Sequence, residues 1–135
     1  MKQRGIWIVI TLALLVAGCS LEPSRFDILQ ENPMSNPTLS FAEPMGRSGT
    51  EGDSDPFLGN ATFTQLTTRF EGLPADLIDQ GLDELIAQAV DAGFELEGQE
   101  FSGGGIRSEL WQGFDSEGFH LRILVSCDSF QVELR

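Results

Sequence analysis

The apolar and polar positions divide this chain of 135 residues into three parts. An apolar stretch broken only by Thr11 covers residues 6–17, and a polar stretch with five of the six prolines covers residues 20–56. Regular periodic patterns begin only at Phe57, where one helical pattern stands among several alternating ones. The periodicity therefore predicts one small folded domain over residues 57–135.

The helical pattern follows Pro74, a residue that is tolerated in the first turn of a helix. Apolar side chains recur every three or four residues between Leu77 and Val90, and charged side chains lie off this stripe. Gly93 is a typical left-handed helix cap, and Phe94 can supply the hydrophobic contact of that cap. The pattern predicts one amphipathic helix that ends at Gly93.

The remaining periodic segments predict strands. Four threonines between residues 62 and 68 favour a strand over residues 61–70, although Phe63, Leu66 and Phe70 also fit one face of a helix. Short loops typical of antiparallel hairpins separate four further segments after the helix. These segments are residues 94–101, 106–114, 119–126 and 130–135. We expect an α+β fold of order β-α-β-β-β-β, with the helix packed on one face of a mostly antiparallel sheet.

The two faces of this sheet can be assigned if Phe114 lies opposite Phe119 and Val125 lies opposite Phe130. The face towards the helix then consists of Ile106, Leu110, Phe114, Phe119, Leu121, Ile123, Val125, Phe130, Val132 and Leu134. The opposite face then carries five candidate interaction residues, Arg107, Trp111, His120, Arg122 and Arg135. Tryptophan and arginine are common anchors of interfaces, but an ordinary exposed sheet face accounts for the same pattern.

The start of the chain has the pattern of an export signal. Lys2 and Arg4 precede the apolar stretch at 6–17, which is too short to span a membrane as a helix. The stretch ends in LVAGC at residues 15–19, which resembles the lipobox of bacterial lipoproteins. The resemblance implies cleavage after residue 18 and attachment of diacylglycerol to Cys19. An ordinary signal peptide with a chance cysteine is the alternative.

The lipobox also implies a location in the cell. Two or three acyl chains such as palmitate on Cys19 anchor a protein stably, whereas one chain binds a membrane only reversibly. Ser20 stands where an aspartate often retains lipoproteins in the inner membrane. We therefore expect an exported protein that is anchored to the cell envelope, on the outer membrane if the organism has two membranes.

Residues 19–56 are predicted to be the lipidated cysteine and a flexible tether, because prolines and small polar residues dominate this segment. Residues 46–55 have the most disorder-like composition within it. The apolar residues at 39–45 are the exception, and we expect this short segment to dock on the domain.

Charge and candidate chemistry narrow the function. The chain without residues 1–18 has six basic and 21 acidic residues, a net charge of −15 that disfavours nucleic acid as a partner. His120 is the only histidine, and Cys127, predicted to be partly buried near a turn, is the only cysteine besides Cys19. An intermolecular bridge through Cys127 stays an alternative. The glycines at 103–105 lack the lysine of a phosphate-binding loop.

From these residues we expect no cofactor, no metal site and no enzymatic activity. A small ligand is disfavoured, because so small a domain has little room for a deep pocket. The sequence predicts a membrane-anchored envelope lipoprotein that binds another envelope protein through the exposed sheet face. A small-ligand or metal-binding accessory lipoprotein and a structural tether without a specific ligand are the alternatives.

Changing Cys19→Ser tests the anchor. We expect the variant to accumulate as an unprocessed precursor without labelling by a palmitate analogue, because the serine oxygen does not replace the sulfur that accepts the lipid. Metabolic labelling and gel mobility, compared with the unchanged protein, measure both effects. Normal labelling of the variant would contradict the assignment of Cys19.

Overall fold

The computed structural model describes residues 24–51, 64–101 and 106–135, which contain two α-helices and six strands. The helices are α1, Arg25–Glu31, and α2, Ile78–Asp91. The strands are β1, Gly46–Thr50; β2, Gln65–Phe70; β3, Glu95–Glu100; β4, Ser108–Phe114; β5, His120–Ser126; and β6, Phe130–Leu134. Neighbouring strands are antiparallel in the order β1-β2-β6-β5-β4-β3. The predicted α+β class with one open sheet is confirmed.

The core lies between α2 and one face of this sheet, which we call the helix face. The apolar stripe of α2 buries Ile78, Leu82, Leu85 and Ala89 against it. The buried side chains of β5 and β6 on this face are Leu121, Ile123, Val125, Phe130, Val132 and Leu134. Burial of each such large side chain contributes about 1.5–3 kcal/mol. This contact is therefore the main source of stability.

The ends of α2 follow the sequence signals. Residues Ala75–Leu77 form a 3₁₀ turn directly after Pro74, and the α-helix starts at the next residue. At the other end Gly93 has a φ of +92°, and the N–H of Phe94 donates to the carbonyl of Ala89 at 3.0 Å. The predicted left-handed cap at Gly93 is confirmed.

The predicted register between β4 and β5 is wrong by one residue, whereas Val125 does lie opposite Phe130. Phe114 lies opposite His120, and the loop that joins the strands has three residues, 116–118, instead of four. Its third residue, Gly118, has a φ of +88°, the left-handed conformation typical of three-residue hairpin loops. A shift of one residue moves every side chain of β4 to the other face.

Trp111 consequently lies on the helix face, opposite Ile123, and packs against the core. Its indole ring occupies space beside Gly98 of β3, where a Cβ atom would lie 2.6 Å from the ring. The indole N–H is buried without a hydrogen-bond partner within the described residues. Trp111 is therefore a core residue, and its predicted place on the exposed face is wrong.

The residues of 106–114 that were predicted to face the helix lie elsewhere. Leu110 is buried on the other face of the sheet, opposite Leu124. Phe114 and Ile106 are 60% and 66% exposed. The wrong register was compatible with the sequence because β4 has large apolar side chains in both phases of its alternation.

Residues 24–51 are part of the domain, which corrects the predicted tether and the predicted start of the domain at residue 57. Ser24 and Asp27 form a capping box at the start of α1. Leu29 and Met34 are almost fully buried in the core. The segment Gly46–Thr50, which has a disorder-like composition, pairs with β2 through its backbone. Residues 52–63, including the first part of the predicted strand at 61–70, lie outside the described residues.

The apolar segment at 39–45 docks on the domain as expected. Leu39 is buried in the core, and Phe41 packs against the same cluster, whereas Met45 is exposed. Gln88 of α2 accepts a hydrogen bond from the N–H of Thr38 at 2.9 Å and donates one to its carbonyl at 2.7 Å. These contacts join the chain before β1 to the outer side of α2.

Glu84 lies one turn before Gln88 on α2 and extends this connection. Its carboxylate accepts hydrogen bonds from the N–H of Ser40, at 2.9 Å, and from the hydroxyl of Ser40. The hydroxyl and the N–H both stabilise the charged form, which lowers the pKa of Glu84 below its ordinary value. The carboxylate is therefore a charged acceptor for the docked segment.

A comparison of Trp111→Ala with Phe114→Ala tests the register. We expect Trp111→Ala to lower the free energy of unfolding by about 3 kcal/mol, as truncation of a packed aromatic side chain does. Phe114→Ala in the same strand should lower it by less than about 1 kcal/mol, because its ring is exposed. Urea unfolding followed by circular dichroism measures both values. A larger loss for Phe114→Ala would show that the predicted pairing with Phe119 is correct after all.

Candidate functional site

The face of the sheet opposite α2 is the candidate site, and we call it the open face. In the part of the chain that the structure describes, α1 lies on the helix face as well, where Phe26 fills the space beside Gly49 of β1. The open face is formed by alternate residues of β2 to β6, as the register of the strands requires. They are Gln65, Thr67, Arg69, Glu95, Glu97, Gln99, Ser108, Leu110, Gln112, Phe114, His120, Arg122, Leu124, Ser126, Gln131 and Glu133, and Arg135 continues this alternation.

A buried carboxylate organises the middle of the open face. Glu133 has a side chain that is only 9% exposed, and its Oε2 atom lies 2.9 Å from Nη1 of Arg122. Gln131 donates a hydrogen bond to the other carboxylate oxygen at 2.9 Å, and Nη2 of Arg135 lies 3.9 Å from Oε2. Because a buried charge needs such partners, Glu133 fixes Arg122 in place and offsets its charge.

An aromatic pair lies next to this network at the end of β4 and β5. The rings of Phe114 and His120 stack with their centroids 4.6 Å apart. Burial, followed by the charges of Arg135 and Arg122, lowers the pKa of His120 below its ordinary value of 6.5, and Glu133 opposes this shift. The imidazole is therefore uncharged at neutral pH, and the exposed ring of Phe114 rests on an uncharged surface.

The edge of the open face at β3 is acidic. Glu95 lies opposite Phe114, and Glu97 lies opposite Gln112. A groove runs here between the two carboxylates and the stacked rings, and Gln112 also lines it. The open face thus changes from acidic at β3, through apolar and aromatic in β4, to cationic at β5 and β6.

Three of the five candidate interaction residues, His120, Arg122 and Arg135, lie together on the open face. Trp111 and Arg107 do not lie on this face. Trp111 lies on the helix face because β4 pairs with β5 one residue out of the predicted register.

Arg107 instead connects the sheet to the helix. Its Nη2 atom lies 2.7 Å from Asp79 in the first turn of α2 and 3.1 Å from Glu109. The hydrogen bond to Asp79 is the main cause that raises the pKa of Arg107 above its ordinary value. The contacts assign Arg107 a structural position and remove it from the candidate interface.

Phe114, like Leu110, is a residue of the open face that the sequence interpretation assigned to the helix face. The signal that could have placed it correctly is Gly118, because a glycine at the third loop position is typical of a three-residue hairpin loop. With that loop, the alternation along β4 puts Phe114 on the same side as His120.

The two cysteines lie apart from the open face or outside the described residues. Cys127 is exposed in the turn between β5 and β6, which corrects its predicted partial burial, and Cys19 lies outside the described residues. Among the described residues, no group of three or more histidine, cysteine, aspartate or glutamate side chains has the arrangement of metal ligands. None of the described helices is long and apolar enough to cross a membrane.

Comparisons with known protein families, with curated proteins and with solved structures found no match to this chain. The arrangement of the open face is therefore the basis of the functional argument.

Glu133→Ala tests the network of the open face. We expect a loss of about 2 kcal/mol in the free energy of unfolding, less than the roughly 3–5 kcal/mol of a fully buried ion pair, because Arg122 is partly exposed. Glu97→Ala is the matched control on the exposed edge strand and should change stability by no more than about 0.5 kcal/mol. Chemical denaturation compares the two variants, and equal losses would contradict the role of Glu133.

Proposed function

We propose that the protein is a membrane-anchored lipoprotein of the cell envelope with a non-enzymatic role, and that it binds another envelope protein through the open face. The lipobox at residues 15–19 supports the anchor on Cys19 and export to the envelope. Ser20 supports the outer membrane in an organism with two membranes. The observation that carries the binding proposal is the open face itself.

Three properties of the open face suit a protein partner. Phe114 exposes most of its ring and lies on His120, so it can be buried without losing a hydrogen bond of its own. Arg122 is held in one position by Glu133, so little side-chain entropy is lost when it contacts a partner. Leu124 adds half-buried apolar surface on the other side of Arg122, opposite Leu110. Aromatic and arginine side chains of this kind are typical anchors of interfaces.

The position of the domain relative to the anchor also bears on the partner. With lipid on Cys19, only the four residues 20–23 separate the anchor from Ser24, where the described part of the domain begins. A chain of this length spans at most about 18 Å. The domain is then held close to the membrane surface instead of at the end of a long tether. A partner that is itself in or at the same membrane fits this reach.

Site-specific photo-crosslinking in intact cells tests the proposal. A photoreactive residue replaces Gln112 on the open face or, as the control, Asp83 on the exposed side of α2. We expect a discrete protein adduct from position 112 and none from position 83, because only the open face is proposed to contact a partner. Electrophoresis and mass spectrometry identify the adduct. The absence of an adduct from position 112, or the same adduct from both positions, would contradict the proposal.

A further inference from the structure

We infer that the partner presents an extended, positively charged segment that lies along the free edge of β3, with its lysine or arginine side chains against Glu95 and Glu97. This inference rests on the proposed function and specifies the chemistry of the partner. It combines three features of one end of the open face: an unpaired strand edge, two carboxylates and an exposed aromatic ring.

The edge of β3 offers backbone groups to an added strand. Among the described residues, β3 pairs with β4 on one side and with no strand on the other. The N–H of Phe101 donates to the carbonyl of Ser108 at 2.8 Å, so the alternation of an antiparallel pair directs the N–H and C=O groups of Gly98 and Glu100 away from β4. Extended segments bind such edges through main-chain hydrogen bonds.

The side chains along this edge select for positive charge. Glu95 and Glu97 are exposed, point to the open face, and form no ion pair within the described residues. They lie two residues apart, roughly 7 Å along the strand, which is the spacing of alternate side chains on an added strand. An added strand with a basic residue at every second position can therefore place successive cations beside the two carboxylates.

The groove beside the edge suits the same cations. Phe114 lies opposite Glu95 and exposes the ring on which a lysine or arginine can form a cation–π contact. His120 behind this ring is uncharged at neutral pH, since burial and the nearby arginines lower its pKa. Glu133 lies 2.9 Å from Arg122 and 3.9 Å from Arg135, so it partly offsets the charges of both. Neither arginine lines the groove itself, whose charged lining residues are Glu95 and Glu97.

The charge of the whole chain favours the same occupant over a second copy. The net charge of −13 repels another copy and attracts a basic segment over long distances. Glutamates on an edge strand also prevent pairing with an identical edge, because like charges would lie side by side. The edge that resists self-association is thus open to a cationic strand.

Binding of designed peptides to the full-length protein in detergent tests the inference. The probe is a short peptide with lysine at every second position and valine or threonine between, and its counterpart has glutamate in place of lysine. We expect the lysine peptide to bind, and the double variant Glu95→Gln and Glu97→Gln to weaken it about fivefold to tenfold. The double variant Asp83→Asn and Asp91→Asn removes the same charge from the exposed side of α2 and should weaken it less than about twofold. Isothermal titration calorimetry measures the affinities.

Hydrogen exchange distinguishes binding of the lysine peptide at the edge of β3 from nonspecific electrostatic attraction between the peptide and the protein. The lysine peptide should slow exchange of the amides of Gly98 and Glu100, which point to the free edge. Equal weakening by both double variants, binding of the glutamate peptide, or no protection of these amides would overturn the inference. Self-association of the protein in sedimentation experiments that depends on Glu95 and Glu97 would overturn it in favour of a second copy. A partner adduct from position 112 without peptide binding would leave the proposed function intact and refute only this inference.

Discussion

The left-handed residue Gly118 determines which side chains of β4 enter the core. Its φ of +88° closes a loop of three residues, and the loop length fixes the pairing of Phe114 with His120. Because side chains alternate along a strand, this one conformation places Trp111 on the helix face and leaves Phe114 on the open face. Gly98 adapts to that choice, since any side chain there would collide with the indole ring. The turn at Gly118 therefore determines both which side chains of β4 enter the core and which belong to the candidate site.

The sequence predicted the parts of the fold whose periodicity has one solution. The stripe of α2 continues through four turns, β5 alternates between buried and half-buried side chains, and β6 buries its apolar residues Phe130, Val132 and Leu134. The pattern of β4 has two solutions, because Leu110 and Phe114 are apolar in one phase and Trp111 is apolar in the other. Alternation alone cannot choose between them, and the decisive information lies in the loop. Because of the same ambiguity, only His120, Arg122 and Arg135 of the five candidate interaction residues lie on the open face.

The segment before β2 was misinterpreted for a different reason. Leu29 and Met34 are buried, but their spacing follows neither a helical nor a strand period across the prolines. The segment that continues from them is held by Gln88 and Glu84, about 50 residues further along the chain. Such contacts leave no local pattern. The five residues of β1 are all exposed, so only backbone pairing with β2 identifies them as a strand.

An open sheet has two free edges, and each one is a potential site of unwanted pairing. In the described part of this chain, β1 limits the risk by being short and containing two glycines, whereas β3 carries three glutamates over its six residues. The acidic edge lies beside the exposed ring of Phe114. The carboxylates of this edge repel acidic strands, and the ring offers apolar surface that a bound strand can cover. Charge then sets the selectivity: apolar contact favours any strand, and the glutamates restrict the choice to a positively charged one.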